Sequence, residues 1–110
     1  MERLKNRREF LRAARGAKWV TPGLVMQCWK RDDDASSRIG FTVTKRVGNA
    51  VIRNRVKRRL REIVRQDEAH ARMGYDYVVI GRKSTTTRAF KDLKNDLDGA
   101  FLGLHRKMNR

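Results

Sequence analysis

Residues 45–62 read KRVGNAVIRNRVKRRLRE, and this stretch decides how the rest of the chain is interpreted. Its apolar residues recur every three or four positions, a spacing that predicts one buried stripe along an amphipathic helix. The stripe continues just past the stretch and consists of Ile52, Val56, Leu60, Ile63 and Val64. Asn49 stands before the helix and is a favourable N-cap residue. The pattern therefore predicts a packed helix and not a disordered basic tail.

The predicted helix also carries a very high density of positive charge. Residues 45–65 contain nine Lys or Arg residues and one acid, a net +8 that is half of the chain's +16. Like charges four residues apart repel each other on a helix surface. Nucleic-acid phosphates neutralise that repulsion and release counterions when they bind. The charge therefore favours a polyanion-binding surface over the alternative of a merely solvated helix face.

Length and composition limit the possible classes of protein. The 110 residues, 39% of them hydrophobic, fit a single domain, interpreted as one RNA-binding domain over residues 1–110. No stretch has the apolar length that a signal peptide or a membrane anchor needs, so no membrane partner is expected. One cysteine, Cys28, excludes an internal disulfide and a cysteine-based zinc site. A cytoplasmic location is therefore the expectation.

The remaining patterns predict elements in the order α-β-β-α-β-α, with one more short strand near Trp19. Residues 7–15 predict a helix, and residues 24–30 and 38–44 alternate like strands, the second with a small, polar and open face. Residues 75–82 predict a central strand, and a long amphipathic helix begins at Phe90. By default, the basic helix would form a right-handed crossover between parallel strands.

No catalytic residue or metal ligand is predicted in the protein. His70 and His105 are far apart in the sequence, and solvated helix ends are favoured over a nuclease pair. Asp32, Asp33 and Asp34 are adjacent acids between two strands, where a solvated turn is favoured over a metal cluster. The sequence also lacks a glycine-rich phosphate loop and a nucleophile motif.

The aromatic residues divide into two groups. Phe41, Phe90 and Phe101 fall on apolar stripes and are predicted to lie in the core. Phe10 is surrounded by arginines, which makes it the best candidate for stacking on an unpaired base, with core packing as the alternative.

These motifs together resemble one family. GNAV at residues 48–51, RNR at 53–55 and KRRLRE at 57–62 are similar to the signature of the bacterial ribonuclease P protein component. RIGFTVTKRV at 38–47 and YDYVVIGR at 75–82 resemble strands of that family, and Arg3-Leu4-Lys5 with Phe10 resembles its N-terminal helix. The resemblance covers nearly the whole chain in the same order.

The resemblance implies an α+β fold and an enzyme complex. The fold would be a small α/β sandwich similar to a domain of the fifth small-subunit ribosomal protein, in the order α-β-β-(β)-α-β-α, with a left-handed βαβ crossover. The protein would be one subunit of an endoribonuclease that removes the 5′ leader of precursor tRNA, with catalysis carried by an RNA subunit and its Mg²⁺. The implied partners are that RNA and precursor tRNA, with no obligate protein partner. A ribosomal or general RNA-binding protein and a stand-alone basic nuclease are the alternatives.

The resemblance also implies two sets of site residues. Those expected to contact the RNA subunit are Lys45, Arg46, Arg53, Asn54, Arg55, Lys57, Arg58 and Arg61. The leader is expected in a cleft between the N-terminal helix and the open sheet face, at Phe10, Arg12, Thr42 and Thr44. Ala14 stands where many relatives carry a second aromatic, which reduces the stacking expected here.

Overall fold

The computed structural model describes residues 1–109, which form three α-helices and five β-strands. The helices are α1 (Arg7–Ala14), α2 (Ala50–Arg65) and α3 (Phe90–Met108). The strands are β1 (Glu2–Arg3), β2 (Ala17–Val20), β3 (Leu24–Lys30), β4 (Arg38–Thr42) and β5 (Tyr75–Gly81). The predicted order is confirmed, including the short strand at Trp19, and β1 is an addition that the sequence pattern did not indicate.

The five strands form one mixed sheet in the order β1-β4-β5-β3-β2. The central strand β5 runs parallel to β4 and antiparallel to β3, and β1 runs parallel to β4 at one edge. β2 pairs antiparallel with β3 at the other edge. β3 shows the predicted alternation, because Leu24, Met26 and Cys28 are buried and the residues between them are partly exposed.

Helices cover both faces of the sheet, which confirms the sandwich architecture. α2 and α3 enclose the main core, which includes Leu60 of α2 and in which the Phe101 ring packs edge-on against Tyr77 of the central strand. α1 lies on the other face over a smaller apolar cluster that includes Leu4, Ala13 and Val78. None of the described helices combines the length and apolarity that a bilayer-spanning segment needs.

Helix α2 forms as its sequence predicts, with one exception at its first turn. The Asn49 side chain accepts a hydrogen bond from the Ile52 N–H at 3.0 Å and thereby caps the helix. Val56, Leu60, Ile63 and Val64 are buried. Ile52, however, remains 37% exposed, because it lies in the first turn and packs against Gly48 instead of the sheet. Phe90 is likewise 37% exposed at the start of α3, so the prediction that it is a core residue is wrong.

The crossover from β4 through α2 to β5 is left-handed. The Ile39 side chain lies in the core under α2, and the Ile39 carbonyl accepts a hydrogen bond from the Leu4 N–H beyond β1 at 2.9 Å. When an L-residue in a strand is viewed from its side-chain face with the chain running upward, its N–H and C=O point to the right. From the α2 side, β1 is therefore to the right of β4, and β5 is to the left. The right-handed default is wrong here, and the crossover that the family resemblance implies is confirmed.

Candidate nucleic-acid interface

The outward face of α2 presents most of the residues predicted to contact RNA. Arg53 and Lys57 lie half-buried along one edge of the helix. The exposed members of the set are Lys45, Arg46, Asn54, Arg55, Arg58 and Arg61. Within residues 1–109, none of the cationic side chains in the set forms an ion pair with an acid. The face therefore keeps its positive charge available for an external partner.

Arg59, on the same helix, has a different role. Its guanidinium donates hydrogen bonds to the carbonyl oxygens of Thr85 at 2.9 Å, Thr86 at 2.7 Å and Arg88 at 2.5 Å. These three acceptors belong to the segment between β5 and α3. Arg59 thus fastens that segment to α2, which agrees with its absence from the predicted RNA contacts.

Two further cations lie beside Arg46 that sequence reasoning did not assign to the interface. Arg82 and Lys83 follow β5, and together with Arg46 they line a cleft at one end of α2. They meet because β4 and β5 are parallel neighbours, with Thr42 opposite Ile80, so the residues after both strands emerge at the same edge. The parallel pairing of the two strands was the signal that could have located them.

Phe10 packs on the opposite face of the sheet. Its ring lies over Gly40 of β4, and a Cβ on Gly40 would come within 2.5 Å of two ring carbons. The ring also touches the cluster formed by Leu4, Ala13 and Val78, and it is only partly buried. Phe10 therefore combines a packing role with an exposed edge that a base can reach.

Beyond Phe10, part of this sheet face is not covered by α1. Thr42 is two residues past Gly40 on β4, and its cross-strand neighbours are Ile80 on β5 and then Val25 on β3. All three are half-buried, and we call them the open row. Thr44 does not belong to it, because β4 ends at Thr42 and Thr44 is the exposed residue just before the turn Lys45–Val47. The prediction that Thr44 lies on this strand face is wrong.

Arg12 is held by a buried acid. Its guanidinium lies 5.8 Å from the centre of the Trp29 ring, and one nitrogen donates to Asp76 Oδ2 at 3.2 Å. Arg38 adds two hydrogen bonds of 2.8 Å to the Asp76 carboxylate, and Arg31 adds a further short one. Burial disfavours the charged carboxylate, but the hydrogen bonds from Arg38 and Arg31 outweigh it and lower the pKa of Asp76.

This arrangement organises a cleft beside α1. The cleft has a volume of about 660 Å³, and its lining includes Arg8, Arg12, Trp29, Lys30 and Arg38. Arg12 and Arg38 are oriented by Asp76, whereas Arg8 and Lys30 are exposed. Trp29 supplies an aromatic surface in this cleft, close to α1.

Comparison with known proteins assigns the family. The Ribonuclease P family model matches residues 1–105. The chain belongs to the ribonuclease P protein family. Its relatives include the ribonuclease P protein component of Gluconacetobacter diazotrophicus, 57% identical over 97 residues that cover 86% of this chain and 84% of the relative. That of Paramagnetospirillum magneticum is 53% identical over 107 residues, covering 92% and 80% of the two chains.

Solved structures of the family share this fold. The RNase P protein from Thermotoga maritima matches with a TM-score of 0.76 and 32% identity, covering 96% of this chain and 97% of that one. The RNase P protein of Staphylococcus aureus matches with a TM-score of 0.77 and 26% identity, covering 93% and 94%. The resemblance and the tRNA-processing role it implies are thus confirmed. The likeness to a ribosomal protein domain stays a prediction.

The histidines of this family member do not form a solvent-exposed nuclease pair. His105 is 4% exposed, and its Nε2 lies 2.6 Å from the Tyr77 hydroxyl in the core. Burial lowers the pKa of His105 to about 4. The expectation of a solvated helix end is wrong for His105, because α3 turns this residue towards β5. His70 and His105 therefore do not form the accessible histidine pair on which the nuclease alternative was based.

Proposed function

We propose that this protein is the protein subunit of a ribonucleoprotein endoribonuclease, in which an RNA subunit cleaves the 5′ leader from precursor tRNA. The proposal rests on one observation: some arginines are bonded to acceptors within the protein, and the predicted RNA-contacting cations are not paired with acids. Arg31, Arg38 and Arg59 are held by acceptors within the protein. The cations predicted to contact the RNA subunit form no ion pair among residues 1–109, and on α2 only Arg65, outside that set, pairs with an acid, Glu62. The proposed site of action is the cytoplasm, with no obligate protein partner.

The α2 face is the proposed contact for the RNA subunit. Six of the eight predicted residues lie on α2, Lys45 and Arg46 lie in the turn just before it, and the cleft with Arg82 and Lys83 extends the surface. Phosphates would relieve the repulsion between neighbouring cations on α2 and release condensed counterions. Asn54 stands among these cations and can both donate and accept hydrogen bonds, which suits a sugar or base edge.

The opposite sheet face is the proposed path of the leader. Phe10 offers a partly exposed ring at one end of the open row, and Thr42, Ile80 and Val25 provide a shallow, largely apolar floor. Unpaired bases stack on aromatic side chains, whereas bases in a helix have their faces covered. The open row therefore suits a single-stranded leader better than a tRNA stem. Arg12, turned towards Asp76, would bound the path and would not serve as a free cation.

Mg²⁺ is assigned to the RNA subunit in this proposal. Residues 45–61 contain no Asp or Glu, so the proposed RNA-binding face does not offer the oxygen ligands that Mg²⁺ prefers. We assign no step of the reaction to a protein-bound Mg²⁺. The protein's own contribution is to bind and orient the two RNAs.

Reconstitution tests the proposal directly. The purified chain is incubated with precursor tRNA and Mg²⁺, with and without the cognate RNA subunit, and the 5′ end of the product is mapped. We expect accurate leader removal at low Mg²⁺ only when protein and RNA subunit are both present. Cleavage by the protein alone would identify a stand-alone nuclease. RNA binding with no effect on cleavage would identify a general RNA-binding protein.

A further inference from the structure

Three potential ligands meet at the junction between α2 and α3. Asp67 follows Gln66, the last capping residue of α2, and His70 closes the short turn Glu68–His70. Asp98 comes from the middle of α3. His70 Nδ1 lies 3.1 Å from Asp67 Oδ1 and 3.9 Å from Asp98 Oδ1. One ligand atom from each of the three residues lies within 4.8 Å of the others.

Three buried polar atoms at this junction have no hydrogen-bond partner within residues 1–109. Asp67 Oδ2, His70 Nδ1 and Asp98 Oδ1 are all buried and unpartnered. The Asp67 side chain is only 5% exposed, so water does not readily replace a missing partner. A buried polar atom without a partner is costly, and a buried carboxylate more so. The described residues therefore do not supply all the partners that this group of side chains needs.

The position of Asp67 increases that cost. It lies directly beyond the C-terminus of α2, where the helix dipole presents partial negative charge. Its carboxylate would normally be disfavoured there, and Asp98 brings a second negative group to the same place. His70 alone contributes at most one positive charge. A divalent cation would offset both carboxylates and complete the unpartnered atoms.

We propose that Asp67, His70 and Asp98 bind one divalent transition-metal ion of the zinc or manganese class. Such ions take imidazole nitrogen and carboxylate oxygen at about 2.0–2.2 Å, which places neighbouring ligand atoms about 3–3.5 Å apart. The pair of Asp67 and His70 already fits that spacing. Asp98 is one-third exposed, and its Oδ1 needs to approach His70 Nδ1 by about 1 Å or less to reach that spacing. The open side of Asp98 leaves room for a water ligand.

The ligand set discriminates between metals. Mg²⁺ prefers oxygen ligands in regular octahedral geometry, so a site with imidazole and few oxygens suits it poorly. His70 is also held in place, because its ring stacks on Phe101 with an interplanar angle of 13°. The site is thus distinct from the Mg²⁺ of the proposed RNA subunit, and it does not depend on the proposed function. Its effect is to tie the end of the RNA-facing helix to α3.

Zinc titration of the full chain, without RNA, tests the proposal. Isothermal titration with Zn²⁺ in the presence of excess Mg²⁺ should show one saturable site, and Zn²⁺ should raise the unfolding temperature. Asp98→Asn should weaken Zn²⁺ binding at least about tenfold, since even the loss of an outer-shell partner costs about that much. Asp34→Asn removes the same charge from an exposed loop and should bind Zn²⁺ like the wild type.

Other outcomes would overturn the proposal. One is the absence of saturable Zn²⁺ binding, and another is binding that Asp98→Asn and His70→Gln leave unchanged. A third is stability that depends on His70 but not on Zn²⁺, which would mean an ordinary histidine–aspartate ion pair. If Asp67→Asn fails to fold, the two milder variants still decide the question. Co²⁺ in place of Zn²⁺ adds a visible spectrum, whose change in His70→Gln would report loss of the nitrogen ligand.

Discussion

The ring of Phe10 lies on Gly40 with no room for a side chain between them, since a Cβ on residue 40 would come within 2.5 Å of the ring. Glycine at this position lets α1 approach the sheet closely. This contact determines how far the Phe10 ring lies from the sheet surface next to the open row. The aromatic edge available to an RNA base is therefore determined by a residue on a different element.

Phe10→Ala should weaken the binding of precursor tRNA more than that of mature tRNA in the reconstituted holoenzyme. One lost base stack costs about 1–3 kcal/mol, with the lower part of the range expected because Phe10 also packs in the protein. Leu11→Ala is the matched control, because Leu11 is the next residue on α1 and is 51% exposed. Equal losses for both tRNAs would place the leader elsewhere.

RNA affinity should fall steeply with salt concentration. If about six cations of the α2 face contact phosphates, the log–log slope should be roughly −4 to −5, at about 0.7–0.9 per contact. Filter binding of the RNA subunit across a salt series measures the slope. A slope of about −1, the value for a single contact, would rule out α2 as the main RNA-binding surface.

Arg58→Ala and Arg59→Ala should impair different properties although the residues are adjacent: the first should weaken RNA binding and the second should lower stability. Arg58 is exposed, so its loss should reduce the magnitude of the salt slope by about 1 and leave the unfolding temperature unchanged. Arg59 holds three carbonyls, so its loss should reduce the free energy of unfolding by about 1.5–3 kcal/mol. Thermal melts and binding assays on both variants measure this. If Arg58→Ala were the more destabilising change, the assignment of the two roles would be reversed.

Asp76→Asn should destabilise the protein at neutral pH by about 3–5 kcal/mol, because it removes the buried counter-ion that Arg12, Arg31 and Arg38 share. The pKa of Asp76 is lowered in the folded state, so its stabilising effect is complete above the unfolded pKa, near about 4. That effect is lost as the pH falls through the folded pKa.

Denaturant unfolding of wild type and Asp76→Asn at several pH values checks this sign. The difference between their free energies of unfolding should be constant from pH 7 to about 5 and should become smaller below about pH 4. Asp34→Asn, in the exposed loop, serves as the control for loss of a charge. If that difference in free energy of unfolding became larger in acid, Asp76 would be protonated in the native state.

Two glycines of α3 should respond oppositely to alanine. Gly99 has open space around its Cα, so Gly99→Ala should stabilise the helix by about 0.5–1 kcal/mol. Gly103 lies under the Trp19 ring, where a Cβ would come within 2.5 Å, so Gly103→Ala should destabilise by about 1–3 kcal/mol through overpacking. Thermal melts of both variants measure the difference. The same sign for both would show that helix propensity outweighs the contact with Trp19.

The sequence was most informative where one element sufficed for the inference. The period of α2 separated its buried stripe from its cationic face without knowledge of the sheet. β1 was missed because a strand of two residues has no period, and it forms only by pairing with β4. Thr44 was placed on β4 because the alternation in sequence continues past Thr42, where the strand pairing ends.

Residues whose roles depend on distant partners could not be assigned. Asp76 looked like part of an apolar strand, and only the folded sheet brings Arg12, Arg31 and Arg38 around it. Arg59 cannot be distinguished from the other basic residues of α2 until the segment after β5 is in place. The six predicted RNA-contact residues on α2 were found because a helix face is a local property. The contacts of all eight predicted residues with RNA stay a prediction.

The place of β5 at the centre of the sheet has a consequence during synthesis of the chain. β5 joins β4 to β3, yet residues 75–81 leave the ribosome after α2 has been made. Until then the β2–β3 hairpin and the β1–β4 pair have no strand to connect them, and the apolar stripe of α2 has no complete sheet to pack on. The core can form only after β5 has paired with both β4 and β3. The basic segment of α2 is therefore synthesised and exposed before the core exists. A chain arrested before residue 75 should therefore bind RNA without the protease resistance of the folded protein.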